Sequence, residues 1–170
     1  MKILIIGSVA SGKSTLARKL SNKFNIKSYE IDSIVHDDVN NIKRKNEDQQ
    51  KIIEKIDNQK EWIIEGTLRR NLYNLLEMAD NIIYVDTPLI IRKKRILTRY
   101  IKQKLGIEKC GYKPSYKMLK NMYTWTKEFE SKRKDFEDIL KKYQEKVIVV
   151  KNSNDINEDY IMKRRMLWNV

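Results

Sequence analysis

Gly7-Ser8-Val9-Ala10-Ser11-Gly12-Lys13-Ser14-Thr15 follows an apolar run, Ile3-Leu4-Ile5-Ile6, and leads into Leu16-Ala17-Arg18-Lys19-Leu20, which has helical spacing. Strand, glycine-rich turn, then helix is the setting in which the pattern G-x-x-x-x-G-K-[ST] holds phosphate. The residue types explain themselves. Glycines let backbone N–H groups approach a phosphate with no Cβ in the way, and the helix N-terminus adds a positive dipole. Lys13 has the reach for β- and γ-phosphates, and the Ser14 hydroxyl is a ligand for Mg²⁺. These residues predict a site for a nucleoside triphosphate, ATP, with Mg²⁺ as cofactor. An ordinary Gly/Ser turn would need neither the lysine nor the flanking elements.

At 170 residues the chain has the length of one domain with a sizeable core. No apolar stretch approaches the ~18 residues of a membrane span. The sequence enters its first strand directly, without the basic and apolar regions of a secretory signal. Cys110 is the single cysteine, so it has neither a disulfide partner nor CxxC spacing, and a cytoplasmic setting is expected. The net charge of +13 is concentrated. Residues 90–120 hold eleven Lys/Arg against the one acid Glu108, a balance of +10 in one stretch, which suits a polyanionic partner.

Outward from the loop, Lys2–Ile6 reads as a buried strand and Lys13–Phe24 as the first helix. Ile26–Ile31 reads as a second strand ending at Asp32, followed by a polar, irregular Ser33–Asn46. Asp48–Asn58 is a helix with Ile52, Ile53 and Ile56 on one face. Glu61–Glu65 is a third strand, Leu68–Met78 helical, Asn81–Val85 a fourth strand. A helix runs from Pro88 to Lys104, then a loop over 105–114. Ser115–Tyr143 is helical, in one or two pieces. Val147–Val150 is the fifth strand, Asn152–Asn157 a loop and Glu158–Trp168 a last helix. Strands alternating with helices predict a three-layer α/β fold on a five-stranded parallel sheet, in a single domain.

Ligands of such sheets lie beyond the carboxyl ends of the strands. Asp32 after strand two is suited to hold Mg²⁺ through water or to take the proton of an acceptor hydroxyl; its alternative is to cap the next stretch. Glu65-Gly66 after strand three pairs an acid, for Mg²⁺-bound water or the acceptor, with a glycine that admits a ligand or makes a turn. Arg69 and Arg70 oppose the dipole of a helix start, which favours an anion partner. Asp86-Thr87-Pro88 reads as a helix N-cap, and Asn152-Ser153-Asn154 follows strand five. Arg92, Arg95 and Arg99, at i, i+3 and i+7, share one helical face without Glu partners at matching positions, unlike a solvated salt-bridge ladder. Arginine suits phosphate geometry, so the stripe is expected to stabilise a transferring phosphoryl group; surface charge is the other reading. His36 reads as an exposed loop residue. Met122, Tyr123, Trp125 and Phe129 read as core, and Lys132-Arg133-Lys134 and Lys163-Arg164-Arg165 as solvated faces.

These residues in this order resemble the nucleoside-monophosphate-kinase-like branch of P-loop proteins, and within it the adenylate-kinase-like bacterial DNA-topology-modulation proteins. The motifs carrying the resemblance are Gly7–Thr15, Tyr29-Glu30-Ile31-Asp32, Trp62-Ile63-Ile64-Glu65-Gly66 with Arg69, and Asp86-Thr87-Pro88 followed by Arg92, Arg95 and Arg99. The resemblance implies strand order 2-3-1-4-5, an acceptor-side segment over Ser33–Asn58 and a lid over Tyr100–Pro114. It implies lid arginines on ATP phosphates and Asn152–Asn154 near the adenine. Glu65 stands where the family has Asp, the lid is short and has no Cys cluster, and no monophosphate-recognition pattern follows Asp32. The expected function is transfer of the γ-phosphoryl of ATP to a small-molecule acceptor held by Asp32, Glu65, Gly66 and Arg69. A nucleotide-dependent regulator associated with DNA and an NTP hydrolase are the alternatives.

Overall fold

The computed structural model describes residues 1–37, 42–108, 114–156 and 161. Five parallel strands form the sheet: β1 (Lys2–Ile6), β2 (Ser28–Glu30), β3 (Trp62–Gly66), β4 (Asn81–Val85) and β5 (Val147–Val150). Their spatial order is β2-β3-β1-β4-β5, the expected 2-3-1-4-5. The central strands β1, β3 and β4 are buried on both faces, which is why they read as unbroken apolar runs. Alternate residues feed two cores. Leu4, Ile6, Ile64, Ile82 and Tyr84 point to one face; Ile3, Ile5, Ile63, Ile83 and Val85 point to the other. Helix α1 (Lys13–Phe24) covers the second face through Leu16, Ala17 and Leu20 and ends on left-handed Asn25.

The first face carries α2 (Ile31–Val35), α3 (Asn46–Asp57) and α4 (Asn74–Met78). Helix α5 (Leu89–Lys104) is followed by α6 (Tyr116–Ser131) and α7 (Arg133–Lys141), with Ser115 capping α6 by accepting from Met118 N at 3.2 Å. Among the described residues no helix is long and apolar enough to cross a membrane.

Several boundaries differ from the sequence reading. The second strand stops at Glu30, because Ile31, Ile34 and Val35 have helical i, i+3, i+4 spacing and all three are buried as α2. Asp32 therefore stands in a first helical turn. Within the expected irregular stretch, His36–Asp37 pairs antiparallel with Ile42–Lys43, and α3 starts at Asn46. Leu68–Met78 is split into a 3-10 turn, Arg70–Leu72, and α4. Trp125 is exposed rather than core, whereas Phe129 packs near Phe136, ring centroids 5.7 Å apart. Of the expected last helix only Ile161 is described, helical and buried on the α1 face. Cys110, residues 109–113 of the expected lid and Lys163-Arg164-Arg165 lie outside the described residues.

Gly66 has a packing reason. A Cβ there would stand 2.7 Å from the Cβ of Ile31, at the start of α2. Gly66→Ala is expected to destabilise the fold by about 1–3 kcal/mol, the range for overpacking. An unshifted urea midpoint would remove this packing role.

Candidate active site

The register of β1 against β3, Lys2↔Trp62 through Ile6↔Gly66, sets the end of β3 beside the first residue of the phosphate loop. Gly7 must be glycine, since a Cβ would lie 2.6 Å from the carbonyl oxygen of Val85 in β4. Gly12 has φ 104°, in the left-handed region, and forms the N-cap of α1. No side chain caps that helix, so its first-turn N–H groups face an anion uncontested.

The loop is fastened from outside by its carbonyls. Thr67 Oγ1 donates to Gly7 O at 3.2 Å. Thr87 Oγ1, buried, lies 2.8 Å from Ser11 O and 3.0 Å from Lys151 O, tying the loop to the end of β5. Arg95 donates to Ser11 O at 2.8 Å. Inside, Lys13 Nζ donates to Ser8 O at 2.8 Å, and the buried Ser11 hydroxyl has no hydrogen-bond partner. Thr67 and Thr87 went unread as functional positions; their signal is their place within two residues of a strand end.

Ser14 Oγ donates to Glu65 Oε1 at 2.6 Å. A hydroxyl and a carboxylate at the mouth of a phosphate loop are hard oxygen donors of the kind Mg²⁺ takes, with phosphate and water completing the shell. The residues fit that ion. Among the described residues no group of three or more His, Cys, Asp and Glu gathers into a cage of its own. Asp32 meets Arg69 NH2 at 2.8 Å, across the ends of β2 and β3. Asp32 is largely exposed, unlike Glu65, which is 5% exposed.

Burial shapes the charges. It pushes the Lys13 ammonium down, with Glu65 and then Asp32 opposing. It pushes the Glu65 carboxyl up, against the Ser14 hydrogen bond and Lys13. An acid whose pKa is raised on folding contributes stability below its ordinary 4.5 and loses it as the pH rises through the raised value. Glu65→Gln should therefore melt above the parent at neutral pH, the gain vanishing below that ordinary value. Melting curves across this range that stay parallel would remove the burial argument.

The arginine stripe divides. Arg92 is 1% exposed, with Nε on Thr87 O at 2.8 Å, NH1 on Ser8 Oγ at 2.6 Å and NH2 on Glu130 of α6. Arg99 pairs with Glu108 at 3.0 Å. The stripe has no Glu at matching helical positions, but Arg92 and Arg99 take acidic partners from α6 and from beyond α5, where helical spacing gives no hint of them. Arg92 and Arg95 both reach the loop, Arg92 at the Ser8 hydroxyl and Arg95 at Ser11 O, whereas Arg99 is held by Glu108. Arg133 is likewise not a solvated cation, meeting Asp86 and Glu137 at 2.7 Å each. Asp86 holds that pair instead of capping α5, whose N-cap is Pro88. Arg70 is exposed on its 3-10 turn. Ser153 is buried beside Gly12, its Oγ 3.3 Å from where a Cβ would stand; Asn152 is half-buried and Asn154 exposed. Arg44 holds the end of α2, donating to Ser33 O at 2.6 Å and to His36 O.

Sheet order, loop and helix together define a P-loop α/β protein. The chain belongs to the AAA domain family, whose profile matches residues 3–114. No curated protein sequence matches it. Among solved structures it is similar to deoxyadenosine kinase from M. mycoides with bound dATP, at 17% identity over 100% of both chains, TM-score 0.53. It is also similar to an unliganded sugar kinase from Janibacter sp., at 16% identity over 98% of this chain and 92% of that one, TM-score 0.51. At these identities the likeness is one of fold.

Proposed function

We propose that the protein is an ATP-dependent phosphotransferase of the adenylate-kinase-like kind, acting on a small hydroxylated or nucleotide-like molecule as one domain. The observation that carries this reading is the pairing of two half-sites at adjacent strand ends. Lys13, Ser14 and Glu65 form one, and the Asp32–Arg69 pair forms the other. A hydrolase needs the first half alone. That the two similar structures are named as kinases of a nucleoside and of a sugar supports the same class.

In this reading Gly7–Thr15 cradle the phosphates through N–H groups, and Asn152 and Ser153 border the nucleotide. Lys13 leaves Ser8 O for the β- and γ-oxygens. Mg²⁺, when bound beside Ser14 and Glu65 or Asp32, supplies charge neutralisation on the phosphates. Glu65 is committed to Ser14, so the exposed Asp32 is the carboxylate left to accept the proton of the acceptor hydroxyl. Arg69 releases Asp32 as the acceptor enters, with Gly66 at the floor of that half-site. Arg95 moves from Ser11 O to the transferring phosphoryl, and Arg99 would join it only by leaving Glu108. Association with DNA, the rival reading, would draw on the charge of residues 90–120. Burial of Arg92, pairing of Arg99 and the exposed Ile90, Leu97 and Ile101 interrupt that charge, which favours the kinase.

The test is incubation with γ-labelled ATP and Mg²⁺ across nucleosides, nucleoside monophosphates and hydroxylated metabolites. Label in a new phosphorylated compound is the expected result. Label confined to inorganic phosphate would establish a hydrolase, and retention in ATP throughout would remove the catalytic reading.

A further inference from the structure

We propose that Glu130 is a positioning residue for the phosphate loop, acting through Arg92 and Ser8. The proposal rests on the loop being the nucleotide site but not on phosphoryl transfer. Ser8 is gripped twice: its carbonyl accepts Lys13 Nζ at 2.8 Å and its hydroxyl accepts Arg92 NH1 at 2.6 Å. Arg92 reaches it from α5, with Nε fixed on Thr87 O and NH2 on Glu130. The ring of Phe129, the neighbour of Glu130 on α6, lies 5.8 Å from the guanidinium carbon.

A guanidinium this buried needs a carboxylate to offset its lost hydration. Glu130 is the acid that meets it, and its second oxygen is 3.9 Å from Arg133. The chain of contacts therefore runs from α6 through α5 into the loop, and ends on the residue whose carbonyl holds Lys13. Without the carboxylate, Arg92 has reason to turn toward water. Ser8 then loses its donor, and the loop loses one of the contacts fixing its shape.

ATP affinity measured by calorimetry, alongside thermal melting, tests this without reference to turnover. Glu130→Gln and Ser8→Ala should each weaken ATP binding about tenfold, within the range for contacting groups. Combined, they should be no worse than either alone, because both break one chain of contacts. Glu137→Gln is the control: it strips a partner from Arg133 without touching Arg92, and should lower the melting temperature while sparing affinity. Two results overturn the proposal. One is Glu130→Gln behaving as Glu137→Gln does, with ATP affinity within about twofold of the parent. The other is fully additive losses in the double variant. Should Glu130→Gln fail to fold, Glu130→Asp, which draws the carboxylate one methylene back from Arg92 NH2 and so breaks the contact, should weaken ATP binding in the same direction, and unchanged affinity would overturn the proposal. ATP binding without transfer to any acceptor would remove the kinase and leave this inference standing; no ATP binding by the parent would remove both.

Discussion

Lys13→Met is expected to lower kcat/KM for ATP by about three orders of magnitude, the scale of losing a preorganised donor to developing charge. It should do so without unfolding the protein. Lys13 is 8% exposed and its ammonium is held to Ser8 O, so no surface lysine can take its place. Burial drives its pKa down, with Glu65 and Asp32 pulling back. A base shifted this way adds stability above its ordinary 10.5 and loses it as the pH falls through the folded value. At neutral pH the ammonium is thus held at a cost to the fold. Methionine keeps the aliphatic stem and removes that cost, so the melting temperature should match or exceed the parent's. Activity kept within about tenfold would show that Lys13 is not the phosphate ligand.

Arg95→Ala should slow transfer by about 10³, the lower end for an arginine that neutralises a transferring phosphoryl. The loss should fall on kcat, with ATP binding weakened far less, because the contact is made in the transition state and not in the ground state. In the structure the guanidinium lies on Ser11 O at 2.8 Å, next to Gly12. It needs only to exchange one oxygen partner for another. Arg99→Ala is the comparison. Its guanidinium is half-exposed and paired with Glu108, an exposed ion pair worth ~0–1 kcal/mol. Steady-state kinetics of the two variants should differ by at least tenfold in kcat; equal losses would give the two arginines a common role.

The fold was legible because the central strands are buried on both faces. Ile3–Ile6, Trp62–Ile64 and Ile82–Val85 are apolar without interruption, and each stops at a polar or glycine residue that marks the strand end. The edge was harder. Ser28–Glu30 is short and half-exposed, and Ile26 beside it belongs to the α1 core, so apolar residues of two elements read as one strand. Ile31, Ile34 and Val35 make only one turn of helix, too little for periodicity to stand out.

At the site, the donor half was readable residue by residue because backbone and chemistry demand the same motif. Gly7 cannot carry a side chain beneath Val85 O, and Gly12 needs a left-handed backbone. The acceptor half was readable only in part. Asp32 and Arg69 stood out as strand-end residues, but their mutual pairing joins positions 37 residues apart. The arginines show the limit most plainly. Helical spacing places Arg92, Arg95 and Arg99 together, and nothing in that spacing says that Glu130, on another helix, draws Arg92 inward. Side-chain partners supplied across the fold are a tertiary property, and they decide that Arg92 and Arg95 meet the loop while Arg99 turns to Glu108.

The most direct measurement is a crystal structure with Mg²⁺ and a non-hydrolysable ATP analogue. The account predicts β- and γ-phosphates within hydrogen-bond distance of the Gly12–Thr15 amides, Lys13 Nζ moved from Ser8 O onto phosphate oxygen, and the γ-phosphate facing Asp32. A nucleotide bound elsewhere, or Lys13 still on Ser8 O with phosphates in the loop, would contradict it.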